Sequence, residues 1–214
     1  MMLTLYGCYR SRASRPLWLL GEIGLAFTHV PVIQAYRLPD ASAPDAPLNT
    51  QSPAFLAVNP IGQIPAMVEG ELVLTESLAI CLHIARAHGG ALGAQTRAEQ
   101  ALMENWALFA ATAIEPHSLP ILMSQDAAER EAEAVKLARG LARLEAHLAL
   151  QAKNGRDWLL DRFTVADVMV AECVRYGQAH PVMQGYPLVS AWLSRAQARP
   201  AFQAMWAGRL AEPA

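Results

Sequence analysis

Three short segments of this 214-residue chain combine groups able to bind or activate a ligand. The first is the run Asn59-Pro60-Ile61-Gly62-Gln63-Ile64-Pro65. A residue before proline is pushed toward extended backbone, and an X-Pro bond gives up little by adopting cis. Ile64-Pro65 can therefore present the Ile64 main chain outward as a strand edge that pairs with a peptide. The second segment is Glu76-Ser77. If strands occupy Ala66 to Glu69 and Leu72 to Thr75, turned at Gly70, Ser77 falls at the start of the next helix. Free amides there attract a carboxylate, and Glu76 beside it can pair with an ammonium. The third is the loop Gly7-Cys8-Tyr9-Arg10-Ser11-Arg12-Ala13-Ser14-Arg15-Pro16. Proline fits the first turn of a helix but not its interior, so a helix should begin near Ser14 or Arg15. That leaves Ser11 as a hydroxyl donor just ahead of a helix N-terminus, where an anion is stabilised. Together the three segments would hold a small peptide by its backbone and carboxylate and stabilise a negative charge nearby.

The secondary structure around these segments is legible from pattern. Leu3 to Gly7 and Thr28 to Ile33 have strand-like content, and between them Leu17, Leu20, Ile23 and Gly24 describe a helix ending in glycine. With a helix from Ser77 to about His88, the N-terminal portion reads β-α-β-α-β-β-α, the order of a thioredoxin-like α/β domain. Residues 35–52 form a proline-bearing loop of a length that is often functional or mobile. Three glycines within Gly89 to Gly93 mark a linker. Beyond it Leu102, Trp106, Phe109 and Ala113 repeat at helical spacing, as do Leu137, Leu141, Leu144 and Leu148, so two amphipathic helices can face each other in an all-α bundle. Thr164 and Asp167 have capping-box spacing, with Phe163 and Val168 as the staple. The expected division is an α/β domain over 1–86, a linker over 87–95 and a helical domain over 96–214.

The order and separation of these motifs resemble the cytosolic glutathione transferase family, and the resemblance covers the whole chain. Ser11-x-x-Ser14-Arg15 is similar to the loop of the serine-using theta and zeta classes. In the bacterial beta class a cysteine would align with Ser11. The resemblance implies that glutathione is the co-substrate and that no cofactor is tightly bound. It also implies that Ile64 binds the cysteinyl unit with Pro65 holding the geometry, and that Ser77 takes the γ-glutamyl carboxylate while Glu76 takes the ammonium. Glutathione chemistry needs an ionised thiol, which at a pKa of roughly 8.5 is mostly protonated near neutrality, so Ser11 is expected to donate to the sulfur. A small hydrophobic electrophile would then lie between the domains, against Trp106, Phe109, Ala113 and His117, with Tyr176 approaching from a later helix. A homodimer is also implied.

Alternatives stand beside each assignment. Ser11 can simply cap a turn. Cys8-Tyr9-Arg10-Ser11 is a C-x-x-S sequence of the monothiol redox kind, although Pro16 puts the helix start too late to activate Cys8. Tyr6 sits near where tyrosine-using classes keep their thiol donor, and core packing is the simpler reading. Arg12 and Arg15 can add positive potential or lie in solvent. Gly62 stands where some classes place a lysine for the glycyl carboxylate, which leaves Gln51, Gln63 and Arg37 as candidates. The electrophile is not encoded by the half that activates glutathione, so isomerisation, dehalogenation, peroxide reduction, thiol transfer or a non-catalytic binding role remain open.

Composition narrows the classes. Hydrophobic residues make up 53% and charged residues 17%, with a formal net charge of −2 and no Lys/Arg cluster, which argues for a packed protein without a nucleic-acid partner. No apolar run reaches membrane-spanning length, and the start lacks the pattern of a secretory signal. Three widely spaced cysteines suit a reducing cytoplasm, and the six histidines show no metal-ligand spacing, so no metal is expected.

Overall fold

The computed structural model describes residues 2–212. Met1, at the head of the expected first strand, and residues 213 and 214, at the end of the expected helical domain, lie outside the described residues.

Leu3–Tyr6 (β1) alternates buried and half-buried side chains, with Leu3 and Leu5 entering the core, the period of two that a strand imposes. It pairs in parallel with Phe27–Val30 (β2) and antiparallel with Ala66–Glu69 (β3), which pairs antiparallel with Leu72–Thr75 (β4). The sheet order is β2-β1-β3-β4. The second strand is displaced from the expected Thr28 to Ile33 because Pro31 has no N–H to give the ladder. Ile33 instead bridges Asn49.

Ser14–Ile23 (α1) and Ser77–His88 (α3) bury Leu17, Leu20, Ile80 and Ile84 with Leu3, Leu5 and Met67. The other face of the sheet carries a smaller cluster of Val32, Phe55 and Ala66, with Tyr6 and Ile64 packed against it. Phe55 comes from Pro53–Leu56 (α2), a single turn. The long loop before it is anchored by Asn49, which is 1% exposed and donates from Nδ2 to the carbonyls of Ala41 and Pro47 at 3.0 Å each.

Arg97–Phe109 (α4) starts at Thr96, whose hydroxyl accepts from the Glu99 amide at 3.1 Å, an N-cap. It continues through a π turn at Ala110–Ile114 into Glu115–Met123 (α5). Ala127–Lys153 (α6) lies alongside with Leu137, Leu141, Leu144 and Leu148 all buried. Gly140 lets the two backbones approach, since a Cβ there would stand 2.7 Å from the Ala113 carbonyl oxygen. Val165–Val174 (α7) is buried throughout. Its Asp167 accepts from the amides of Leu159 and Thr164 and from the Trp192 indole at 3.0, 2.9 and 3.0 Å. Burial pushes the Asp167 carboxyl up to about 6 against those donors. Pro187–Gln197 (α8) and Pro200–Ala211 (α9) complete the helical part. α9 returns to α1, where Phe202 meets Trp18 edge to face at 5.0 Å, so both parts share one core.

Candidate active site

The Ile64–Pro65 bond is cis. Pro65 is buried, and neither the N–H nor the C=O of Ile64 makes a hydrogen bond among the described residues. Asn59 shapes the loop ahead of it, donating to the Gln63 carbonyl at 2.7 Å and accepting from the Ile61 amide at 3.2 Å. Gly62 has φ 67, and a Cβ there would lie 2.8 Å from the Thr50 carbonyl oxygen. A lysine at this position would thus meet both strain and a backbone clash.

At the end of β4, Glu76 has φ 66 and ψ 110, the one positive φ outside glycine among the described residues. Such a conformation costs roughly 1–3 kcal/mol and is typical of functional turns. It leaves Glu76 exposed at the N-cap and carries Ser77, 3% exposed, to the first helical position. Ser77 is therefore not the cap itself. Its hydroxyl accepts from Arg15 Nη1 at 2.8 Å, which frees its own proton, and the first amides of α3 have no helical carbonyl to meet.

Arg15 is the correction to a solvated reading of the loop arginines, being only 1% exposed. Besides Ser77 it donates from Nη2 to Glu115 Oε1 of α5 at 2.7 Å, and its Nε is buried without a partner. Burial disfavours the guanidinium charge, and the surrounding Cys173, Tyr176 and Glu115 together more than compensate. Burial likewise pushes Glu115 up, but Arg15 and Arg12 outweigh it and hold the carboxyl below its usual range. A second buried set joins Ser14 and Arg175 to Glu172, whose carboxyl Arg175 holds low against burial. These pairs tie α1 to the helical part, and Arg15 carries the link on to Ser77.

Ser11 lies in the turn before α1, half-buried. Its Oγ donates to the Cys8 carbonyl at 2.7 Å and accepts from the Ala13 amide at 3.0 Å, so it caps this turn while lining a cavity of about 360 Å³ with Gln63, Ile64 and Tyr176. A neighbouring hollow shares Arg12, Gln63 and Ile64 and reaches Glu76 and Ser77. The fold thus brings Ser11, Ile64, Pro65, Glu76 and Ser77 to two adjoining hollows, a groove whose halves meet at Ile64.

Cys8 lies just past β1, 2% exposed, its thiol donating to Gln34 Oε1 at 3.3 Å. Burial pushes that thiol up, the wrong direction for a nucleophile. Tyr6 packs on Phe55 with ring centroids 6.2 Å apart. Tyr9 packs edge to face on His29 and closes against Gly208 of α9.

The expected electrophile wall is displaced, with Tyr176 the member that lines the cavity. Trp106 and Phe109 are 4% and 5% exposed and face each other inside the core, under Arg143. Ala113 packs toward α6, and His117 turns to Glu133 of α6 at 2.7 Å. The π turn adds a residue to the helical repeat and rotates the helix beyond it. The face that meets the groove carries Leu108, Ala111 and Glu115, then Leu119, Leu122 and Met123. Leu108, Leu122 and Met123 are 66%, 46% and 59% exposed, an apolar stripe legible at helical spacing once the Trp106 face is assigned to the core.

Three contributors have no local sequence signal. Glu212 accepts from the amides of Tyr9 and Arg10 at 2.6 and 2.8 Å. Arg209 of α9 donates to the Tyr9 carbonyl at 2.8 Å, and Arg10 donates from Nε to the Arg209 carbonyl at 3.2 Å. The end of the chain thereby clamps the loop that holds Ser11. Of the glycyl-carboxylate candidates, Gln63 lines the cavity together with Thr50. Arg37 faces a separate hollow and donates to Gln34, and Gln51 is exposed outside the groove. Among the described residues no cluster of three or more His, Cys, Asp or Glu is arranged to hold a metal, and no helix is long and apolar enough to cross a membrane.

Comparison with known proteins identifies the family. The family model for the glutathione S-transferase N-terminal domain matches residues 1–86, and that for the C-terminal domain matches residues 106–200. Glutathione S-transferase 3 of Zea mays is 34% identical over 221 residues, covering 94% of this chain and 91% of that protein. The crystal structure of glutathione transferase F7 from Populus trichocarpa superposes with a TM-score of 0.79 at 29% identity, covering 97% and 99% of the two chains. A theta class glutathione S-transferase from Xanthomonas axonopodis pv. citri, solved with glutathione bound, gives 0.77 at 27% identity over 94% and 95%. With both domain models matched and a relative above 30% identity along nearly all its length, the chain belongs to the glutathione S-transferase family.

Proposed function

We propose that this enzyme is a serine-type glutathione transferase in which Ser11 donates a hydrogen bond to the glutathione sulfur. The observation that carries the reading is the pair of adjoining hollows that share Ile64, one lined by Ser11 and the other by the Glu76-Ser77 turn, with the Ile64 main chain unpaired among the described residues. Glutathione would run antiparallel to Ile64 with its cysteinyl N–H and C=O meeting the free backbone groups. Its γ-glutamyl carboxylate would receive the Ser77 hydroxyl and the leading amides of α3, and its ammonium would face Glu76.

For catalysis the Ser11 hydroxyl rotates from the Cys8 carbonyl to the sulfur, and Arg12 adds positive potential. Both effects favour the thiolate over the thiol. The thiolate pair then forms the S–C bond while the leaving group departs with the electrons of the bond that breaks. Residues 1–86 supply glutathione binding in this reading, and residues 96–214 the wall for the electrophile. The family supports a homodimer, and the buried free thiols suit the cytoplasm.

The test is Ser11→Ala. A hydrogen bond to a charged sulfur contributes about 1.5–3 kcal/mol, so the bound thiol pKa should rise by roughly 1–2 units, read from thiolate ultraviolet absorbance against pH. Turnover of an activated aryl chloride near neutral pH should fall by about tenfold or more, and Ser11→Thr should retain part of it. An unshifted thiolate titration in a folded Ser11→Ala protein removes Ser11 from the mechanism.

A further inference from the structure

The wall that would receive the electrophile is not purely apolar. Leu119, Leu122, Met123 and Tyr176 form its body, and Arg10 and Arg209 line it as well. Neither arginine has an ion-pair partner among the described residues. Arg10 spends only Nε, on the Arg209 carbonyl, and Arg209 spends only Nη1, on the Tyr9 carbonyl. Arg12, the third arginine on this cavity, shares the one carboxylate of Glu115 with Arg15. Glu212, which follows α9, has committed both oxygens to the amides of Tyr9 and Arg10 and faces a different hollow. No acidic side chain lines the cavity among the described residues.

Two guanidinium groups without an ion-pair partner are costly for the protein by itself. Burial lowers the Arg209 pKa, and the charges of Arg175 and Arg10 lower it further against the attraction of Glu172 and Tyr176. An oxyanion between Arg10 and Arg209 would relieve that repulsion and meet their remaining N–H donors.

We propose, resting on the transferase reading above, that the second substrate is an electrophile bearing a carboxylate or comparable oxyanion on an apolar body. The oxyanion meets Arg10 and Arg209, and the apolar part lies on Leu119, Leu122 and Met123. The reaction is unchanged in kind: the glutathione sulfur forms the S–C bond and a halide leaves with the bonding pair.

The experiment compares 4-chloro-3,5-dinitrobenzoate with its neutral carboxamide, each normalised to its uncatalysed rate with glutathione. Wild-type enzyme should favour the carboxylate by about tenfold or more in kcat/KM, the size of a charge-assisted contact. The ratio should collapse toward one in Arg10→Gln/Arg209→Gln and survive largely in Arg209→Lys. Because the readout is a ratio, any loosening of the loop common to both compounds cancels. A wild-type ratio of one or below, or a preference that persists in the double variant, overturns the proposal while the transferase reading stands. A rise in the KM for glutathione with an unchanged ratio would assign the two arginines to the glycyl carboxylate instead and equally overturn it. Absence of turnover with both compounds would overturn the transferase reading and this proposal with it.

Discussion

Replacing Glu115 by alanine tests whether the buried ion pair beneath the groove joins the two parts of the chain. Arg15 is 1% exposed and the Glu115 side chain 11% exposed, at 2.7 Å. Arg12, whose side chain is 48% exposed, adds little by itself. Removing one member of a buried pair typically costs about 3–5 kcal/mol, because the remaining charge stays desolvated without its partner. For Arg15 the penalty is sharpened by an Nε that already lacks a partner. At roughly 2–4 °C per kcal/mol for a protein of this size, Glu115→Ala should melt about 6–20 °C below wild type in calorimetry. Arg15→Met/Glu115→Leu removes both charges and should regain most of that loss, giving a strongly non-additive double-mutant cycle. The same double variant should bind glutathione more weakly, since Ser77 loses the donor that orients its hydroxyl. Melting of Glu115→Ala within about 2 °C of wild type, or simple additivity, would show that the pair does not couple the two parts.

Glu115 and Glu172 have folded pKa values below those of the unfolded chain, so their stabilisation is present above the unfolded carboxylate range and lost as pH falls through the folded values. Unfolding free energy measured in urea should therefore drop on acidification below about pH 4.5, and less steeply in the charge-free double variant. Gly140→Ala should destabilise by about 1–3 kcal/mol, since its Cβ would meet the Ala113 carbonyl oxygen and Ile114 Cδ1 at 2.7 Å each; an unchanged melting temperature would contradict that packing. Glu212→Ala should lower kcat by roughly tenfold with a smaller effect on the KM for glutathione, and Glu212→Gln should fall between, because it keeps one acceptor for the Tyr9 and Arg10 amides. Equal kinetics in all three proteins would show that the clamp does not position Ser11.

Legibility in the sequence tracked how local the determining physics is. Gly24, Pro16, the Gly70 turn and the Thr164-Asp167 box each act within a few residues, and the elements they punctuate stand near where they were expected. The second strand ended early for an equally local reason, the missing N–H of Pro31. The one-turn helix at Pro53–Leu56 is too short to show a period, and it exists because Phe55 plugs the second face of the sheet.

The groove was legible as far as backbone chemistry defines it, because an X-Pro step, a helix start and a pre-helix hydroxyl are properties of short segments. Its far wall was not, because Arg97–Phe109 carries two apolar faces and the aromatic one is the more conspicuous in sequence. Trp106 and Phe109 satisfy the core, and the thinner stripe of Leu108, Ala111, Leu119 and Leu122 is left to line the hollows. Arg10, Arg209 and Glu212 were beyond any local pattern, since about 200 residues separate the loop from the helix that clamps it. Groups supplied by the peptide unit are thus written locally in this family member, while the proposed discrimination among second substrates rests on contacts that only the folded chain assembles.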